Sequence, residues 1–359
     1  MYSNRINILN FNYNSIDKLL ILIKEKKFHT KQILEWIHKK NKLNIKLMTN
    51  LSLNLRNKLK KICKIKTLKM IKEDIDEKNT IKWLFKINKK NYIETVAIPN
   101  KKNHFTICIS SQVGCMLNCT FCNTASHGFY RNLKPNEIIG QLFNAQDRIS
   151  NIYYNNNKIT NIVFMGMGEP LLNIKNLIIA INVIENKHCY NINKKKLTIS
   201  TSGIVPEIKT IADLKIPLAI SLHATNDSER TSLMPINKKY NIKKLLNACK
   251  EYSKKNTLTI EYIMLKDIND SKKHATELAY LLNKIKCKVC LIPFNKFENS
   301  KYESTSMKDI IDFQNTLKKS KIITTIRKKM GNTINAACGQ LSGKFIDIKK
   351  RNKNSNLQK

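Results

Sequence analysis

Phe105-Thr106-Ile107-Cys108-Ile109-Ser110-Ser111-Gln112-Val113-Gly114-Cys115-Met116-Leu117-Asn118-Cys119-Thr120-Phe121-Cys122 is the stretch on which the fold turns. Phe105 to Ile109 alternates apolar and β-branched residues and reads as a strand, and Cys115, Cys119 and Cys122 then form Cys-x-x-x-Cys-x-x-Cys. Three thiolates so close in a loop can wrap one small inorganic centre, and soft sulfur selects iron–sulfur or zinc. The polar, glycine-containing setting of Gln112-Val113-Gly114 and Asn123-Thr124 argues against three core cysteines. The informative feature is the missing fourth ligand. A cubane on three protein thiolates leaves one iron open to chelate a small molecule through amino and carboxylate groups, whereas structural zinc is closed by four ligands. Cys108 and His127 are the nearest candidates for such a fourth ligand, so spacing alone leaves zinc open.

Downstream, short β-branched runs alternate with longer amphipathic ones. Ile162 to Met165, Leu197 to Thr201, Pro217 to Leu222, Leu258 to Met264 and Val289 to Pro293 read as strands. Pro135 to Arg148, Ile174 to Glu185, Ile204 to Leu214, Ile242 to Lys254 and Ser271 to Lys284 read as the helices between them. Parallel neighbours need such crossovers, so the class is α/β, a partial TIM-like (βα)6 barrel with its site at the carboxyl ends of the strands. A doubly wound open sheet is the alternative. Met307 to Lys318 and Ile322 to Ile326 add a last helix and strand.

The strand ends carry polar residues where such a barrel keeps its ligand. Gly166-Met167-Gly168-Glu169-Pro170 follows the second strand; its glycines let backbone approach a ligand, and Glu169 can accept from an ammonium group. Ser200, Ser221-Leu222-His223 and Asn295 hold equivalent positions on later strands. Cys287-x-x-Cys290 imitates a metal knuckle, but residues three apart on a strand point to opposite faces, which argues against a ligand pair.

Upstream, residues 1–79 read as a small basic helical domain that helps grip RNA. Ile16, Leu19, Leu20 and Ile23 form one apolar face, Ile33, Leu34, Trp36 and Ile37 a second, and Leu53, Leu55, Leu59, Ile62 and Cys63 a third. Residues 80–103 read as a β-hairpin and linker, 104–345 as the barrel core with its C-terminal cysteine segment, and 346–359 as a disordered polar tail. With 65 Lys and Arg against 26 Asp and Glu, the formal charge is +39, the footprint of a polyanion binder. Lys, Asn and Ile richness throughout also fits an AT-rich genome, which would leave many lysines as solvated surface. The 10 irregularly spaced cysteines and the lack of an N-terminal leader pattern predict a cytoplasmic protein with reduced thiols. No apolar run is long enough to span a membrane.

The stretch from Cys108 to Cys122, continuing through Gly128-Phe129 and Arg131-Asn132-Leu133, closely resembles the radical-SAM dual-specificity RNA adenine-C2 methyltransferases, the RlmN family. The likeness extends through Met165 to Pro170, Ser200-Thr201-Ser202-Gly203, Ser221-Leu222-His223-Ala224 and Leu291-Ile292-Pro293-Phe294-Asn295, and closes with Arg327, Gly331 and Ala336-Ala337-Cys338-Gly339-Gln340-Leu341. Most of the chain is covered, and several motifs in order are more specific than any one.

The resemblance implies a [4Fe-4S] cluster on Cys115, Cys119 and Cys122 and two S-adenosylmethionine molecules per turnover. Its substrates would be adenosine in 23S rRNA, at the peptidyl transferase centre, and in tRNA, 3' of the anticodon. Carbon 2 of adenine lies between two ring nitrogens and has no lone pair, so polar attack on a sulfonium methyl is implausible and a radical route is needed. In the family a cysteine is first methylated; the matching residue is Cys338. Cys108 matches the second thiol, which closes a disulfide with Cys338 on product release, and Glu94 matches the proton acceptor. Gly168, Glu169, Ser200, Ser221, Leu222, His223 and Asn295 match the S-adenosylmethionine contacts. A disulfide requires the two cysteines to approach within about 7 Å between alpha carbons. The target base would be flipped out of folded RNA. The resemblance further implies an electron donor such as flavodoxin and a monomer. A related family methylates carbon 8 with the same cysteine pair, and a zinc-stabilised RNA-binding protein is the alternative from another class.

Overall fold

The computed structural model describes residues 5–100, 104–152, 158–298 and 300–343. Its centre is a ten-stranded sheet. Seven strands run parallel in chain order: Phe105–Cys108, Ile159–Phe164, Leu197–Thr201, Leu218–Ser221, Leu258–Met264, Lys288–Pro293 and Ile323–Ile326. Crossover helices link them: Pro135–Ile152, Ile174–Glu185, Val205–Leu214, Ile242–Ser253, Lys272–Leu282 and Met307–Lys319. Strand order follows chain order without the reversal that defines a doubly wound sheet, which removes that alternative. Ile323–Ile326 forms one edge and pairs with no further strand among the described residues, which leaves the barrel open there.

The strands follow a period of two. Ile199, Ile220, Ile260, Tyr262 and Leu291 are buried under the helices. Their neighbours Thr198, Ala219, Thr259, Glu261 and Cys290 line a cavity on the opposite face. Side chains from all seven parallel strands meet around that one cavity, which requires the sheet to curl. Helix Ile242–Ser253 shows the complementary pattern. Ile242, Leu245, Leu246, Cys249 and Tyr252 are buried, and Asn241 caps it by accepting from the Lys244 N–H at 3.0 Å.

On the other side of Phe105–Cys108 the sheet continues antiparallel through Tyr92–Pro99, Ile81–Lys86 and Lys69–Ile75. The hairpin expected over residues 80–103 is present as the first two of these. Lys69–Ile75, within the segment expected to be helical, is instead a strand. Asp76 explains the reversal: its Oδ1 accepts from the Lys78 and Thr80 N–H groups at 2.9 and 2.7 Å, building an Asx turn that folds the segment onto Ile81–Lys86. The rest of the N-terminal unit is helical, with Tyr13–Leu22, His29–Leu34 and Leu53–Ile62, plus a two-residue parallel pairing of Ile6–Asn7 with Cys63–Lys64. Cys63, expected on the third helix, is therefore in that pairing. The tail expected to be disordered, 346–359, lies outside the described residues, as does most of the Pro99 to Asn103 linker.

Candidate active site

The loop after the first parallel strand carries Cys115, Cys119 and Cys122. It is bracketed by a small ribbon in which Gln112–Gly114 pairs antiparallel with Phe129–Asn132, and the Cys115 N–H donates to the Gly128 carbonyl at 2.6 Å. All three thiols line one cavity of about 940 Å³ at the strand ends. Among the described residues no three His, Cys, Asp or Glu side chains converge as the ligands of a single ion would. Three thiols on one cavity wall fit the corners of an iron–sulfur cluster. Neither Cys108 nor His127, the candidate fourth ligands, lines that cavity. Burial pushes the thiols upward, Cys119 to about 12 with Cys122 adding to the shift, and a bound cation would favour their thiolate forms.

The same cavity is lined by Gly166, Gly168, Glu169, Ser200, Ser221 and His223. The two glycines answer chiefly to packing inside the protein. Gly168 has φ +97°, and a Cβ there would lie 2.4 Å from the Gln112 Cβ; at Gly166 it would lie 2.7 Å from the Ser110 nitrogen. Buried Glu169 accepts from the Leu171 N–H at 3.1 Å and the Ser202 N–H at 2.8 Å, and burial raises its pKa. Ser200 donates to Glu261 at 2.9 Å. His223 sits at φ +61° with its Nδ1 accepting from the Ile263 N–H at 3.1 Å and its ring edge-on to Phe121. Burial drops its pKa to about 3, so it is a neutral donor through Nε2. Leu222 is fully buried and contributes backbone, its N–H donating to the Glu261 carbonyl at 3.1 Å.

A second cavity, of about 1940 Å³, lies along the concave face of the sheet and holds Cys108, Cys338 and Asn295. Cys338 lines both cavities and is exposed to them, while Cys108 is buried. Burial raises both thiols, Cys108 to about 12 and Cys338 to about 11, and the Arg327 guanidinium opposes the shift in each case. Asn295 donates from Nδ2 to the Cys338 carbonyl at 3.3 Å; its Oδ1 is buried with no hydrogen-bond partner among the described residues. The Cys338 segment is tied to the cluster loop: the Asn123 N–H donates to the Gly339 carbonyl at 2.8 Å, and Asn123 Nδ2 to the Gln340 carbonyl at 3.0 Å.

Glu94 lines neither cavity. Its Oε2 accepts from the Ser342 and Gly343 N–H groups at 2.8 and 3.1 Å, and Lys82 lies 3.5 Å from its Oε1. It thus joins the hairpin to the Cys338 segment.

Two charged residues of the site were not read from the sequence as functional. Glu261, 3% exposed, lines both cavities and pairs with Arg327 at 2.5 Å. Burial alone would raise its pKa, but Arg327, Ser200 and His223 together pull it down, so it is a carboxylate. Arg230 is fully buried and donates to the Ser202, Ser221 and Leu222 carbonyls at 2.8, 3.1 and 3.1 Å. The available signal was a lone acid in an otherwise apolar strand, Thr259-Ile260-Glu261-Tyr262-Ile263, and an arginine six residues after a strand-end His-Ala pair.

The radical SAM superfamily model matches residues 109–279, and the model described as ribosomal RNA large subunit methyltransferase N-terminal domain matches residues 6–65. A curated protein of Buchnera aphidicola subsp. Cinara cedri (strain Cc), named dual-specificity RNA methyltransferase RlmN, is 50% identical over 348 residues, covering 94% of this chain and 96% of that protein. The protein of the same name from Wigglesworthia glossinidia brevipalpis is 49% identical, covering 97% of this chain and 93% of its own. A crystal structure of a radical SAM methyltransferase from Sphaerobacter thermophilus superposes with TM-score 0.87 at 33% identity, covering 94% of this chain and 99% of that one.

Proposed function

The chain belongs to the dual-specificity RNA methyltransferase RlmN family, and from that premise we propose that it methylates carbon 2 of adenosine in RNA through Cys338 as the carrier thiol. The observation that carries this reading is the position of Cys338, exposed where the cluster-loop cavity and the concave cavity of the sheet meet. When bound, a [4Fe-4S] cluster and S-adenosylmethionine supply a reductively generated radical at the end of the barrel.

Cys115, Cys119 and Cys122 hold the cluster. Glu169 presents its carboxylate to the cofactor's ammonium group, Ser200, Ser221 and His223 offer hydroxyl and ring N–H groups, and Asn295 offers its unpartnered Oδ1. Gly168 and Leu222 contribute backbone. Cys338, as thiolate, accepts a methyl group by displacement from one of the two S-adenosylmethionine molecules used per turnover. Arg327 offsets the burial that disfavours that thiolate. Cys108 is the second thiol: it would attack the Cys338 sulfur, so that the bond from that sulfur to the carbon carried by the base breaks with its electron pair going to the base, and the disulfide closes as the modified base leaves. Glu94 takes up the carbon-2 proton. Its bonds to Ser342 and Gly343 mean that the Cys338 segment shifts before its carboxylate meets a base.

The substrates on this reading are 23S rRNA at the peptidyl transferase centre and tRNA at the adenosine 3' of the anticodon. An electron donor such as flavodoxin and a cytoplasmic monomer complete it. No helix among the described residues is long and apolar enough to cross a membrane.

The test is a Cys338→Ala variant incubated with RNA and S-adenosylmethionine, followed by mass spectrometry of nuclease digests. The expected outcome is loss of 2-methyladenosine while cluster absorbance near about 400 nm persists. Normal turnover would remove the carrier-thiol mechanism, and 8-methyladenosine as the wild-type product would remove the carbon-2 assignment.

A further inference from the structure

Cys290 lies on strand Lys288–Pro293 and Cys287 just before it, and the two meet different surroundings. Cys287 packs against the hydrophobic core, whereas Cys290 lines the concave cavity together with Cys108 and Cys338. The strand register places Cys290 between Glu261 and Thr325, beside the Glu261–Arg327 pair. Arg327 lines the same cavity. Cys338 thus shares one cavity with two thiols carried on different strands. Gly331 and Gly339, both at positive φ, bracket the turn that carries it.

We propose that Cys290 is a second resolving thiol, which exchanges with the Cys108–Cys338 disulfide and hands it to an external dithiol. The inference rests on the carrier-thiol reading above. In the exchange, the Cys290 thiolate attacks the Cys338 sulfur. The Cys108–Cys338 bond breaks, a Cys290–Cys338 bond forms, and Cys108 leaves as a thiolate that takes up the proton Cys290 gave up. No net oxidation occurs. An external dithiol then attacks the Cys290 sulfur, releases both protein thiols and is itself oxidised to a disulfide. One feature favours the relay: Arg327, held by Glu261 next to Cys290 on the neighbouring strand, lines the cavity in which the thiolates form.

The test uses full-length chain expressed under iron limitation, so that Cys338 is unmethylated, then reconstituted with iron and sulfide without S-adenosylmethionine. It is poised anaerobically in glutathione redox buffers, quenched in acid, alkylated and peptide-mapped. A Cys290–Cys338 crosslink is expected in the wild type and in increased share in Cys108→Ser. In Cys290→Ser that crosslink disappears, and dithiothreitol reduces the remaining Cys108–Cys338 disulfide severalfold more slowly. Cys290 that stays alkylatable at every poise in Cys108→Ser, or an unchanged reduction rate in Cys290→Ser, overturns the proposal. A Cys290–Cys338 crosslink in a wild type that never forms Cys108–Cys338 would support the reactivity of Cys290 and overturn the assigned role of Cys108 instead.

Discussion

His38 is 2% exposed, packs its ring against Tyr190 at 5.1 Å, and has a buried Nδ1 with no hydrogen-bond partner among the described residues. Burial lowers its pKa from 6.5 to about 3, so the folded chain keeps it neutral while the unfolded chain protonates it in acid. Its contribution to stability is fully present above pH 6.5 and is lost progressively as the pH falls toward 3. The slope is on the order of 1 kcal/mol per pH unit for one such histidine. Urea midpoints should therefore fall between pH 7 and pH 5 and fall less steeply in His38→Phe; an identical slope in the two proteins would assign the acid sensitivity elsewhere. The sequence placed His38 beside an apolar helical face but gave no sign that its ring turns inward. That depends on the contact with Tyr190, distant in the chain.

At the scale of elements, the strand ends need a device that keeps their loops in place around an aqueous cavity. Arg230, on helix Asp227–Leu233, supplies it by donating to carbonyls of the loops after the third and fourth parallel strands. Arg230→Met would remove these donors and leave several buried carbonyls unpaired, at about 1–3 kcal/mol for each group that water does not reach. The expected result is a loss of at least about 3 kcal/mol in chemical unfolding, with weaker S-adenosylmethionine binding because Ser221 and Ser202 are no longer fixed. A variant that unfolds normally and binds the cofactor as tightly as wild type would show that the loops hold themselves. The helices themselves were legible because each buries an apolar stripe over a strand. Arg230 was not, because an arginine in a polar helix ordinarily points to solvent.

At the largest scale, a basic groove lies where the N-terminal unit meets the sheet. Arg5, Lys64, Lys66, Lys69, Lys86, Lys89 and Lys134 line one groove, and its single acid, Glu137, is already paired with Arg131 at 2.7 Å. The N-terminal unit is seated on the first crossover helix, with Asn41 donating to Asp147 at 3.0 Å and the Asn136 N–H donating to Asn10 at 3.0 Å, and on the loop at His188, which contacts Glu35 at 2.9 Å. An RNA backbone laid in this groove would meet both units at once. Replacing Lys64, Lys66 and Lys86 together by Ala should reduce the salt dependence of RNA binding by about 0.7–0.9 for each lysine that neutralises a phosphate. An unchanged slope would mean that the groove is a solvated surface.

Spacing and periodicity marked the trio Cys115, Cys119 and Cys122, the alternation of strand and helix, and the polar residues at the strand ends, because each is written in residues close together in the chain. The reversal at Asp76 that makes Lys69–Ile75 a strand, the Glu261–Arg327 pair, the Arg230 anchor and the meeting of Cys338 with Cys108 and Cys290 at one cavity were decided by the tertiary structure. The last three join residues from separate strands and loops, and a curled parallel sheet brings them together only once its crossovers have closed. Even the glycines near Glu169 follow this division: their places were plain, but the neighbour that requires Gly168 is Gln112, met only across the fold.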